Sequence, residues 1–214
     1  MDTYSTIVRF FQEGGLFIYP IMLVLAAGVA IAIERFIFLK KIRSGNRMLW
    51  QEVEPLISSK RWREAFSLAS NTESGISRML SYGLARAHSD RKMTEIEAAM
   101  EEGLMESLPK LEKRTHYLST FANIATLLGL LGTIIGLIQA FTAVSNADPA
   151  EKADLLSSSI SVAMNTTAFG LMVAIPLLLI YTILQTRTNE IIDSQEMVGV
   201  KFLNIVSSHK SKDD

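Results

Sequence analysis

Apolar residues in this chain collect into three long runs, and the segments between them differ sharply in character. Residues 16–33 are apolar apart from Tyr19, and residues 36–39 extend that run past Glu34 and Arg35. The other runs are 118–144 and 160–184. Each is long enough, at about 18 residues or more, to be read as a transmembrane helix. Lys40, Lys41, Arg43 and Arg47 follow the first run, Lys110, Lys113 and Arg114 precede the second, and Arg187 follows the third. Basic residues mark the cytoplasmic side, so the N-terminus is expected outside and the C-terminus inside. The connection 145–156 carries Asp148, Glu151 and Asp154 against Lys152, which suits the outer, periplasmic face.

The expected organisation is all-α. An interfacial amphipathic helix at 1–14 carries Tyr4, Ile7, Val8, Phe10 and Phe11. Transmembrane helices at 15–39, 118–144 and 157–185 alternate with a helical cytoplasmic domain at 40–117, the periplasmic loop at 145–156 and a cytoplasmic tail at 186–214. Within 40–117, short periodicities (Met48, Leu49, Val53, Leu56; then Trp62, Ala65, Phe66, Ala69) predict two or three short helices before a long one. Thr94 and Glu97 have capping-box spacing. From there Ile96, Met100, Leu104, Leu108 and Leu111 repeat at helical spacing, with Pro109 kinking the helix without ending it. Continuation into the membrane at Tyr117 gives one predicted element of about 70 Å.

Composition sharpens this picture by exclusion. Across 214 residues, 49% are hydrophobic and the formal net charge is −1, which offers no bulk attraction to nucleic acid. The absence of cysteine removes disulfides, thiolate metal sites and cysteine nucleophiles. His88 and His116 lack spaced partners for a metal. The first apolar run is long for a signal-peptide core and is not preceded by a basic region, so it reads as a retained helix. The glycine-rich stretch 129–136 lacks the Gly-Lys-Ser/Thr ending of a phosphate-binding loop. No enzymatic site and no cofactor are expected.

Chemistry is concentrated on the second and third apolar helices. Thr126, Gly129, Thr133, Gly136 and Ala140 fall on one stripe, and Gly132 with Gly136 forms a small-xxx-small pair. On the third helix Ala163, Thr167, Gly170, Ala174, Tyr181 and Gln185 share a face, with Thr166 at its edge. These faces suit either close helix packing or a partly hydrated seam lined by Thr133 and Thr167. Neither helix has Asp, Glu, Lys, Arg or His in its core; Ser119, Asn123, Thr126, Thr133, Asn165, Thr166 and Thr167 are among the polar groups available instead. Hydroxyls can order water or replace part of an ion's hydration shell, but they do not hold a proton as a carboxylate does. A proton-driven process therefore needs a titrating group from another chain. Glu34 and Arg35 read as an interfacial charge pair or as snorkelling charges.

Leu-Leu-Gly-Leu-Leu-Gly-Thr at 127–133, Asn-Thr-Thr-Ala-Phe-Gly-Leu at 165–171 and Ala-Ile-Pro at 174–176 resemble the TolQ/ExbB/MotA ion-channel family. Residues 13–36, from Glu-Gly-Gly through Pro20 to Ile-Glu-Arg-Phe, resemble its first helix. The likeness is strongest to the three-helix ExbB/TolQ-like members. It implies a homo-oligomeric ring, taken to be a pentamer, around a dimer of single-span partners resembling ExbD or TolR, whose helix carries a membrane aspartate. Such a motor, in the bacterial inner membrane, would pass force to an envelope protein resembling TonB or TolA. The resemblance assigns Thr133 and Thr167 to the ion pathway, with Thr126, Asn165 and Thr166 as further polar groups beside it. Gly129, Gly132, Gly136, Gly170 and Ala174 are assigned to subunit packing. Two positions depart from the pattern: Val162 stands where many relatives have glutamate, and Thr126 where relatives often have proline. The implied ion is a proton, with sodium the alternative because neutral oxygens suit a hard cation. A non-conducting membrane scaffold is the competing expectation.

Overall fold

The computed structural model describes residues 15–89, 92–145 and 147–213, with side chains to 210. The helix expected at 1–14 lies outside the described residues. Every regular element among them is helical: α1 (Ile18–Ser58), α2 (Trp62–Asn71), α3 (Ser77–His88), α4 (Met93–Glu112), α5 (Thr115–Ser145) and α6 (Lys152–Asp213). Among the described residues, three helical stretches are long and apolar enough to cross a membrane. The chain divides into two compact units, Met1–Ile33 with Arg114–Ile183, and Glu34–Lys113 with Leu184–Asp214. Helices α1 and α6 contribute to both.

The first, apolar unit contains the start of α1, α5 and the first half of α6. Small residues form much of its packed faces: Ala122, Ala125 and Ala140 of α5 and Ala163 and Ala174 of α6 are buried, beside Leu118, Phe169, Val173 and Leu177. Leu127, Ile134 and Ile138 of α5, and Ile175 and Leu179 of α6, point outward. This inverts the usual amphipathic helix. In hydrocarbon, leucine gains nothing by leaving the lipid, and close backbone approach is what holds helices together. Helix α6 continues through Pro176, although the ring removes the donor that the Met172 carbonyl would otherwise receive.

The second, polar unit has a conventional core. Val53, Ile57, Ala65, Ile76, Leu80, Ile96 and Phe202 are fully buried within one hydrophobic cluster. Gly103 lets α4 lie against the backbone of α3, since a β-carbon there would stand 2.7 Å from Met79 N and Cα. Below the core sits a polar seam. Asn46 Oδ1 accepts from the Ile76 N–H at 3.2 Å, at the start of α3, and Ser107 Oγ donates to Gln195 Oε1 at 3.2 Å. Gly75 fits between Asn46 and Gln195, where any side chain would collide with both amides.

Two local expectations fail. Helix α4 begins at Met93 with Lys92 as its N-cap and no side-chain cap, so Thr94 lies inside the first turn and forms no capping box. Helices α4 and α5 are also separate: α4 stops at Glu112, and Arg114 adopts a left-handed φ of 68° before α5 starts. The buried Arg35 accounts for the break. Its guanidinium donates to Lys110 O at 3.4 Å and also to Leu111 O. Those are the carbonyls that a continuing helix would offer to the N–H groups of residues 114 and 115.

Candidate functional site

The site is made possible by glycine. A β-carbon on Gly170 would lie 2.7 Å from Ala125 O and 3.1 Å from Gly129 Cα, so α5 and α6 meet backbone to backbone. Two turns beyond Gly129 on α5, a β-carbon on Gly136 would come within 2.9 Å of Ala163 Cβ. Gly132 receives the Thr166 methyl group and lies near Phe17 of the chain entering α1. The glycines that the sequence assigned to subunit packing thus have neighbours within their own chain, and Ala174 is buried on the same α6 face.

This approach brings Thr133 and Thr167 into direct hydroxyl–hydroxyl contact. Thr133 Oγ1 lies 3.2 Å from Gly129 O and 3.3 Å from Ala163 O, both within donating distance. Thr167 Oγ1 donates to Gly129 O at 2.9 Å. Gly129 is one turn before Thr133 on α5, and Ala163 is one turn before Thr167 on α6. Each hydroxyl therefore reaches the helix opposite. The result is a cluster of four neutral oxygens, two of them donors as well as acceptors. Both threonines are half-buried.

The other predicted pathway residues do not join the cluster. Thr166 is 2% exposed and its hydroxyl donates back to Val162 O at 3.0 Å. Thr126 shares the stripe with Thr133 but donates to Ala122 O at 3.1 Å, within its own helix. Asn165 lies two residues before Thr167, about 200° around the helix, and so on the far side of α6. Glu34 and Arg35 belong to the polar unit, where Arg35 also stacks over the Phe38 ring at 4.6 Å. The carbonyls of Gly129 and Ala163 were missed by reading side chains alone. The signal was present, however, as a small residue four positions before each threonine.

Charged groups of note lie in the polar unit. Tyr82 donates to Glu106 Oε1 at 3.2 Å, while Arg78 pairs with Glu106. The hydrogen bond to Glu106, reinforced by its negative charge, raises the tyrosine pKa above its ordinary value. Among the described residues no group of histidine, cysteine or carboxylate side chains could hold a metal.

Three apolar helices, packed through small residues and carrying hydroxyls in place of charges, define a multi-pass helical membrane protein. Residues 71–197 match the MotA/TolQ/ExbB proton channel family, and the chain belongs to that family. It is 30% identical over 200 residues to an ExbB homolog of Methanothermobacter thermautotrophicus, covering 92% of this chain and 70% of that protein. The biopolymer transport protein exbB1 of Vibrio cholerae is 29% identical over 169 residues, 77% of this chain and 73% of its own length. The Tol-Pal system protein TolQ of Haemophilus influenzae is 36% identical over 93 residues, 44% of this chain and 40% of its own.

Proposed function

We propose that this chain is the ring subunit of an ion-driven motor in the cytoplasmic (inner) membrane. It conducts protons together with a single-span partner of the ExbD or TolR kind and passes force to the cell envelope. The observation that carries this reading is the Thr133–Thr167 contact between two helices that have no Asp, Glu, Lys, Arg or His in their apolar cores. Hydroxyls in such a place can relay or coordinate an ion but cannot store its charge. The proton carrier is then an acid on the partner helix. Sodium remains the alternative ion, because all four oxygens of the cluster are neutral and hard.

A non-conducting scaffold draws on the same geometry, since both hydroxyls find acceptors within the chain. Native mass spectrometry of the protein purified with its single-span partner separates the two readings when combined with ion flux in vesicles. A ring of this chain holding partner copies, with a partner-dependent proton current lost in Thr133→Val and Thr167→Val, supports the motor. Retention of that current in both valine variants, which keep the size but not the hydroxyl, excludes these threonines from the pathway. A sodium-dependent, pH-independent current would reassign the ion.

A further inference from the structure

A cavity of about 900 Å³ opens within the polar unit, walled by α1, α2, α3 and α4. That is the size of a site for a small organic ligand. Phe38 and Lys41 line it from α1, where the apolar run ends at Leu39 and charge begins. Lys110 and Leu111 line it from the end of α4, just before α5 starts. One end of the cavity therefore lies at the level of the membrane surface. Ser74 and Ser107 line it deeper: Asn46, five residues beyond Lys41, bonds to Ile76 at the start of α3, and Ser107 precedes Lys110 on α4. The offset along either helix is about 5–7 Å.

The wall chemistry selects a ligand. Arg78 and Tyr82 both bind Glu106, which leaves Lys41 and Lys110 against Glu73 as the unpaired charges among the described lining residues. Ser74 Oγ is buried without a hydrogen-bond partner, so its proton is free to be donated. Ser107 Oγ has its proton engaged within the fold, by Leu104 O at 2.7 Å, and keeps lone pairs to accept with. From the membrane end inward, the wall is apolar, then cationic, then hydroxylic.

We propose that this cavity holds the headgroup of an anionic glycerophospholipid of the cytoplasmic leaflet, of the phosphatidylglycerol type. Its acyl chains leave past Phe38 and Leu111, its phosphate lies between Lys41 and Lys110, and its terminal glycerol exchanges hydrogen bonds with Ser74 and Ser107. Basic pockets beside membrane helices are where anionic headgroups bind. A choline head offers the serines no hydroxyl and brings a further cation to a wall that already carries two. The proposal rests on the membrane reading of α1 and α5 and is independent of ion conduction.

The purified protein, stripped of lipid in detergent, is titrated with phosphatidylglycerol or phosphatidylcholine, and bound lipid is counted by native mass spectrometry. Wild type should bind phosphatidylglycerol about thirtyfold more tightly, each lysine contributing about fivefold. Lys41→Gln combined with Lys110→Gln should abolish the preference. Lys40→Gln combined with Arg47→Gln, two exposed residues outside the cavity, should keep most of it. Ser74→Ala should weaken phosphatidylglycerol binding about fivefold at an unchanged melting temperature, because the lost hydroxyl has no partner within the protein. Equal affinity for the two lipids, or the same loss from both double variants, would overturn the proposal, since the attraction would then belong to the basic surface as a whole. Displacement of the lipid by millimolar inorganic phosphate would also overturn it, by assigning the cavity to a soluble anion. Should the lysine double variant not assemble, Ser74→Ala decides alone, and unchanged binding there sinks the proposal. Failure of the membrane reading would show separately, as a protein extracted from cells without detergent.

Discussion

Arg35 reaches from α1 to the carbonyl of Leu111 and ends α4 there. A cation at a helix C-terminus interacts favourably with the macrodipole, and a guanidinium can serve two carbonyls together. Arg35→Leu should therefore destabilise the polar unit by about 2 kcal/mol, because two carbonyls lose a charged donor. Arg35→Lys should recover only part of this, since its ammonium lacks the planar fork. Thermal melts of the purified protein check both; equal melting temperatures for wild type and Arg35→Leu would remove the capping role.

Two glycines of the polar unit make opposite predictions. Gly103→Ala forces a β-carbon to 2.7 Å from Met79 backbone atoms, which have no rotamer to escape into. A loss of about 1–3 kcal/mol is expected, the range for overpacking. At Gly199 the nearest atoms to a β-carbon are Met79 Sδ at 3.6 Å and Met100 Cε at 3.7 Å, an ordinary contact. Gly199→Ala should accordingly be neutral or stabilising by up to about 1 kcal/mol, through helix propensity. Denaturation midpoints measured side by side separate the two.

Gly170 tests whether close approach creates the threonine contact. Gly170→Val places a branched side chain against Ala125 O and the Gly129 backbone. The expected outcome is separation of α5 from α6 and loss of partner-dependent proton flux, although both threonines are intact. Cysteines introduced at exposed Leu130 and Leu171 report the separation by spin-label distance, and an unchanged distance would refute the mechanism.

Tyr82 supplies a pH signature. Its pKa is raised by the hydrogen bond to Glu106 first and by the carboxylate's charge second. A raised folded-state pKa favours the neutral phenol in the native state. The corresponding stabilisation is present below the ordinary tyrosine pKa and is lost as pH rises through the folded value. Ultraviolet titration, with Tyr82→Phe subtracted, should place ionisation of Tyr82 above that of an ordinary tyrosine. Glu106→Gln should lower it.

The sequence by itself determined three apolar helices, because hydrocarbon requires long uncharged runs and leaves no alternative to backbone bonding within each helix. It also determined that Thr133 and Thr167 lie on small-residue faces, because helical periodicity decides which residues share a side. Periodicity does not set the rotation or axial offset between two helices. Tertiary structure decided those through the Gly129–Gly170 contact, and with them the choice of Gly129 and Ala163 carbonyls as acceptors. The same geometry left Thr126 bonded to its own helix and Asn165 on the far side of α6. The break before α5 was hidden for a related reason. Local propensity favoured a continuous helix, and the group that occupies its carbonyls, Arg35, comes from more than 70 residues away in the chain.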